Sequence, residues 1–70
     1  GSRIALSDAG VGATLLKSAM QGASLNVYIN TKSMKDRKRA EELNQLADSL
    51  REEYEAKADR IFAEVSSRIR

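Results

Sequence analysis

Residues 34–70 read MKDRKRAEELNQLADSLREEYEAKADRIFAEVSSRIR, and this stretch decides the fold. It contains neither Gly nor Pro and is dominated by Ala, Leu, Glu, Lys, Arg and Gln, which are strong helix formers. Apolar residues recur at Leu43, Leu46, Leu50, Tyr54, Ala58, Ile61, Val65 and Ile69, and Phe62 widens the stripe near its end. Steps of three and four place these side chains on one helical face. The mean step is about 3.7 residues, longer than the 3.5 of a left-handed coiled coil and near the value for an eleven-residue repeat. Just upstream, Ser33-Met34-Lys35-Asp36 fits the capping pattern in which a hydroxyl and an acid satisfy the free N–H groups of a first turn. Ser49-Leu50-Arg51-Glu52 fits it again, but no Gly or Pro supports a turn there, so one continuous helix is expected. From 34 to 69 it would be ~54 Å long.

Working outward from this helix, residues 1–23 hold all four glycines. Val11, Leu15, Ala19 and Gly22 form one line and Leu16, Met20 and Ala23 the next, which predicts a shorter helix. Ser7 or Asp8 is placed to cap it and Gly22 to end it. Residues 24–30 alternate polar and apolar, which is the strand period, although Leu25, Tyr28 and Ile29 would also continue an amphipathic helix. The expected architecture is all-α. It has a short N-terminal helix, a turn near 30–33 and a long amphipathic C-terminal helix, arranged as a helical hairpin or an oligomeric bundle. Residues 1–70 form a single small helical domain in this reading, with 1–6 as a tag remnant and flexible start.

Composition narrows the function. The chain has 70 residues, no Cys, no His and no Trp, and a formal net charge of +2. Disulfides, thiolate nucleophiles, the commonest metal ligands and the commonest general base are therefore missing. Gly10-Val11-Gly12 is a lone G-x-G without the lysine or third glycine of a phosphate loop. No apolar run reaches membrane-spanning length and no signal peptide is visible, which points to a cytoplasmic protein. Hydrophobic residues make up 41% of the chain, and ten of them are alanine. A chain this small rarely supplies a sufficient core alone, so the long stripe is expected to meet a second copy or a helical protein partner.

The expectation is thus a non-catalytic helical protein–protein interaction or oligomerisation module, such as an assembly subunit or adaptor, without cofactor or metal and not an enzyme. Its partner-binding residues are Leu43, Leu46, Leu50, Tyr54, Ala58, Ile61, Phe62, Val65 and Ile69. The basic run Lys35, Arg37, Lys38 and Arg39 would contact the acidic block of residues 41–64 on a neighbouring copy. An alternative keeps 24–30 as a strand. The order strand, helix, turn, helix then resembles ribbon–helix–helix regulators, which pair two such strands in the DNA major groove. Asn26, Tyr28 and Asn30 would face the bases, because Asn bonds adenine edges in two places. Two features depart from that pattern: Lys35, Arg37, Lys38 and Arg39 fall where core apolar residues belong, and the turn between the helices lacks glycine.

Overall fold

The computed structural model of the protein describes residues 2–70. Two helices account for nearly all of them: α1 (Arg3–Lys32) and α2 (Arg37–Ile69), connected by the turn 33–36. They lie side by side as an antiparallel hairpin measuring 52 × 15 × 14 Å.

α1 is 30 residues long and not the short helix expected. It starts at the N-cap Ser2, whose Oγ accepts from the Ala5 N–H at 3.2 Å, so Arg3–Leu6 of the expected flexible start are helical. Gly1 of the expected tag remnant lies outside the described residues. Neither Ser7 nor Asp8 caps the helix, and Gly22 does not end it: no glycine among the described residues takes the left-handed conformation of a helix stop.

Residues 24–30 are helical throughout, which overturns the strand and with it the ribbon–helix–helix architecture. A lone strand would leave its backbone N–H and C=O groups without a ladder, whereas a helix pairs them internally. Side chains reinforce the choice. Ser24 Oγ donates to the Met20 carbonyl at 2.9 Å, and Asn30 Nδ2 donates to the Asn26 carbonyl at 2.8 Å.

The turn therefore falls at 33–36 instead of 30–33. Asp36, not Ser33, caps α2, accepting from the Arg39 N–H at 3.0 Å. A carboxylate there faces the positive end of the helix dipole. Ser33 Oγ donates backward to the Asn30 carbonyl instead. Arg37, at the first position of α2, reaches back across the turn. Its Nη1 donates to the carbonyls of Thr31, Met34 and Lys32 at 2.8, 2.9 and 3.2 Å. These include acceptors that the end of α1 leaves free. α2 then runs unbroken through Asp48 and Ser49, as expected.

Which residues meet between the helices follows from a strict period. On α1, Leu6, Gly10, Ala13, Lys17, Met20, Ser24, Val27 and Thr31 form a buried or half-buried series whose steps alternate four and three, with Gly12 and Tyr28 half-buried beside it. That is the seam of a two-helix heptad pattern. Ala40, Ala47, Arg51, Ala58 and Val65 answer it from α2. Among the described residues the buried hydrophobic ones are Ala13, Ala40, Ala58 and Val65, and no large side chain is fully buried. Small residues let the backbones approach closely: a β-carbon added at Gly10 would lie 3.1 Å from Val65 Cγ1.

Candidate functional site

The middle of the seam is polar. Thr31 Oγ1 donates to Asn44 Oδ1 at 2.6 Å. About one helical turn away, the Tyr28 hydroxyl donates to Asp48. Arg51 Nη2 stands 3.6 Å from Asp48, and its Nη1 bonds Glu55 at 2.8 Å. Gln21 Nε2 donates to the other Glu55 oxygen at 2.6 Å, and Lys17 Nζ meets Asp59 at 2.7 Å. Four levels of side chains thus tie α1 to α2 through hydrogen bonds where most hairpins interlock apolar groups. No buried side-chain polar atom among the described residues lacks a partner.

These contacts bias the ionisable groups. The Gln21 hydrogen bond, then Arg51 and Lys17, hold the Glu55 carboxyl below the ordinary carboxylate value, against some desolvation. The hydrogen bond from Lys17 to Asp59 and the charge of Asp59 raise the lysine above its usual value. Arg51 is raised as well, first by the Tyr28 hydroxyl and then by Glu55. The cluster thus links a phenol, two carboxylates and a guanidinium in the order Tyr28, Asp48, Arg51, Glu55, and groups of these types can orient a polar ligand or exchange a proton. Among the described residues, no group of three or more acids is placed to hold a metal ion.

At the open end of the hairpin the seam turns apolar. A shallow groove of about 190 Å³ runs between Gly10, Val11 and Thr14 on α1 and Phe62, Val65 and Ile69 on α2.

The expected partner-binding stripe divides. Ala58 and Val65 are buried against α1 and Leu43 is half-buried. Leu46, Leu50, Tyr54, Ile61, Phe62 and Ile69 remain exposed, Leu46 to 58% and Phe62 to 56%. The reason is periodic: the stripe advances about 3.7 residues per step while the seam keeps to 3.5, so the stripe winds off the contact line. Lys57 Nζ sits 5.1 Å above the Tyr54 ring. The basic run divides too. Arg37 is engaged at the turn and Arg39 pairs with Glu42 at 3.2 Å, while Lys35 and Lys38 are exposed. Asn26, Tyr28 and Asn30 do not share an outward face: Tyr28 turns into the seam and the two asparagines are exposed on the helix.

Sequence reasoning missed the seam itself. Its signal was the series from Leu6 to Thr31 on α1, which is heptad-spaced but so small and polar that an apolar search passes over it.

Residues 1–49 match the formiminotransferase-cyclodeaminase family, and the chain belongs to that family. It is also similar to a methenyltetrahydrofolate cyclohydrolase of Methylorubrum extorquens, 38% identical over 64 residues, which cover 91% of this chain and 31% of the relative. The chain thus spans about a third of the length of that curated relative. No solved structure matches.

Both names are enzyme names, and they overturn three expectations: a non-catalytic interaction module or adaptor, a DNA-binding regulator, and a protein that is no enzyme. The expectation had rested on the absence of His and Cys. That absence removes only two kinds of catalyst; carboxylates, tyrosine and lysine also transfer protons in enzymes. No helix among the described residues is long and apolar enough to cross a membrane.

Proposed function

We propose that this chain contributes to a folate-processing enzyme of the cyclohydrolase type, acting on the methenyl bridge of methenyltetrahydrofolate. The observation that supports this reading is the 38% identity over 91% of the chain to an enzyme of that name. The methenyl carbon lies between two nitrogens and carries delocalised positive charge. Its hydrolysis needs a positioned water, a group to receive a proton and negative charge near the cation. Within this chain the cluster of Tyr28, Asp48, Arg51 and Glu55 meets that description best. Asp48 accepts a proton from water, Tyr28 and Arg51 hold Asp48 in place, and Glu55 supplies charge.

The exposed members of the stripe, Leu46, Leu50, Tyr54 and Ile61, then pack on further helices of the enzyme, in the same chain or another copy. Self-association or pairing with a helical partner belongs to this reading, as does the exposed basic pair Lys35 and Lys38 as a contact for acidic groups.

The test is hydrolysis of methenyltetrahydrofolate, followed by loss of its absorption, with the purified chain. A protein-dependent rate that falls at least about tenfold in Asp48→Asn, with helicity unchanged, is the expected result. A rate equal to the uncatalysed one, together with no binding of the folate by calorimetry, would sink the reading.

A further inference from the structure

Arg51 stands between two carboxylates of its own helix. Asp48 precedes it by three residues and Glu55 follows it by four, so all three share one face of α2. Arg51 Nη1 bonds Glu55 Oε1 at 2.8 Å, while Nη2 lies 3.6 Å from Asp48 Oδ1. Each carboxylate is also reached from α1. The Tyr28 hydroxyl donates to Asp48 Oδ1, and Gln21 Nε2 donates to Glu55 Oε2 at 2.6 Å. Gln21 and Tyr28 are seven residues apart, as are Asp48 and Glu55. The same donation from α1 to α2 is thus made twice, one heptad apart, with Arg51 between. α1 has no charged residue between Lys17 and Lys32, so no acid from that stretch competes for the guanidinium.

The planar guanidinium fork matches a carboxylate best as a bidentate pair, with both nitrogens on both oxygens. Glu55 is the nearer acid, yet Arg51 bonds it through one nitrogen and one oxygen. We propose that Gln21 enforces this division and is a positioning residue for Asp48. Its amide holds Oε2 of Glu55 against α1, so that only Oε1 meets the guanidinium and the second nitrogen stays turned to Asp48. Without the amide, the fork closes on both Glu55 oxygens and Asp48 keeps Tyr28 alone.

The consequence for catalysis rests on the reading of Asp48 as the proton acceptor. Tyr28 and Arg51 both contact Oδ1, and among the described residues Oδ2 receives no protein hydrogen bond. Oδ2 is therefore the oxygen that takes the proton from water. Arg51 and Tyr28 together stop the carboxylate from rotating and exchanging its two oxygens. Gln21 acts on that arrangement from two residues away, through Glu55 and then Arg51.

Gln21→Met tests this in the full chain, because it keeps the length and helix propensity of the side chain and removes the amide. Mutant cycles with Arg51→Met, Asp48→Asn and Glu55→Gln, read by urea unfolding, give the coupling of Arg51 to each acid. In the Gln21→Met background the Arg51–Asp48 coupling should fall by at least about half, and the Arg51–Glu55 coupling should grow. A role confined to packing lowers stability without moving coupling from one acid to the other. In hydrolysis of methenyltetrahydrofolate, Gln21→Met should lower kcat about three- to tenfold with KM unchanged, since the lost contact acts on Asp48 and not on the bound folate. Transfer of coupling in a chain that shows no hydrolysis supports Gln21 as the residue that directs Arg51 and sinks Asp48 as the proton acceptor. An Arg51–Asp48 coupling that Gln21→Met leaves unchanged overturns the inference, as does a parallel fall in both couplings.

Discussion

A β-carbon added at Gly10 would sit 3.1 Å from Val65 Cγ1, whereas one added at Gly12 would meet nothing within 4 Å. Two glycines only two residues apart therefore answer substitution in opposite ways. Gly12→Ala should stabilise the helix by about 1 kcal/mol, which raises the thermal midpoint by roughly 4–8 °C in a chain of this size. Gly10→Val should cost about 1–3 kcal/mol, because the added branches displace Val65 and part the helices. Circular-dichroism melts of the two variants check both signs. Glu55 gives a pH dependence. Its folded pKa is lowered, first by Gln21 and then by Arg51, so its contribution is present above the ordinary carboxylate value and lost as pH falls through the lowered one. Lys17 is raised, so its contribution is present at and below neutral pH and lost as pH rises through its raised value. The melting temperature should form a plateau between these limits, and Glu55→Gln should flatten the acid arm while leaving the alkaline arm in place.

At the scale of the elements, Arg37 makes the largest number of side-chain hydrogen bonds at the turn. Arg37→Ala removes two donations to the end of α1 and one to Met34 in the turn, and should destabilise the hairpin by about 1–2 kcal/mol. Arg37→Lys should recover only part of this loss, since an ammonium lacks the planar fork. Urea titration of the three proteins measures the difference. α2 was legible in the sequence because its composition, its stripe and its freedom from Gly and Pro all agree. α1 was only partly legible. Gly22 reads as a stop, yet a glycine ends a helix only where the chain turns left-handed, and here α1 continues to Lys32 with Ser24, Val27, Tyr28 and Thr31 buried or half-buried along the hairpin. The alternation at 24–30 reads as a strand, but the hydrogen bonds that would reward a strand have no partner in this chain. The polar seam was the least legible part. Tyr28, Asp48, Arg51 and Glu55 come together only once the register of one helix on the other is fixed, and that register depends on the turn at 33–36, which the capping pattern at Ser33 misplaces.

For the whole molecule, the two faces of α1 divide the work of holding the structure together. The inner face joins the helices through Thr31, Tyr28, Gln21 and Lys17, while the outer face keeps its leucines for another surface. The chain spans 31% of the relative it matches. The alanine-lined, hydrogen-bonded seam also has a calorimetric consequence. Exposure of apolar surface raises the heat capacity of the unfolded chain and exposure of polar surface lowers it, which gives about 12–15 cal/mol/K per residue in ordinary domains. Here the buried hydrophobic groups are three alanines and a valine. The lone hairpin should fall well below that range, with a stability curve so flat that cooling and warming change it little. Any event that covers the leucines of α1 should then appear in differential scanning calorimetry as a rise in heat-capacity increment toward ordinary values, and with it a hairpin that becomes sensitive to cold.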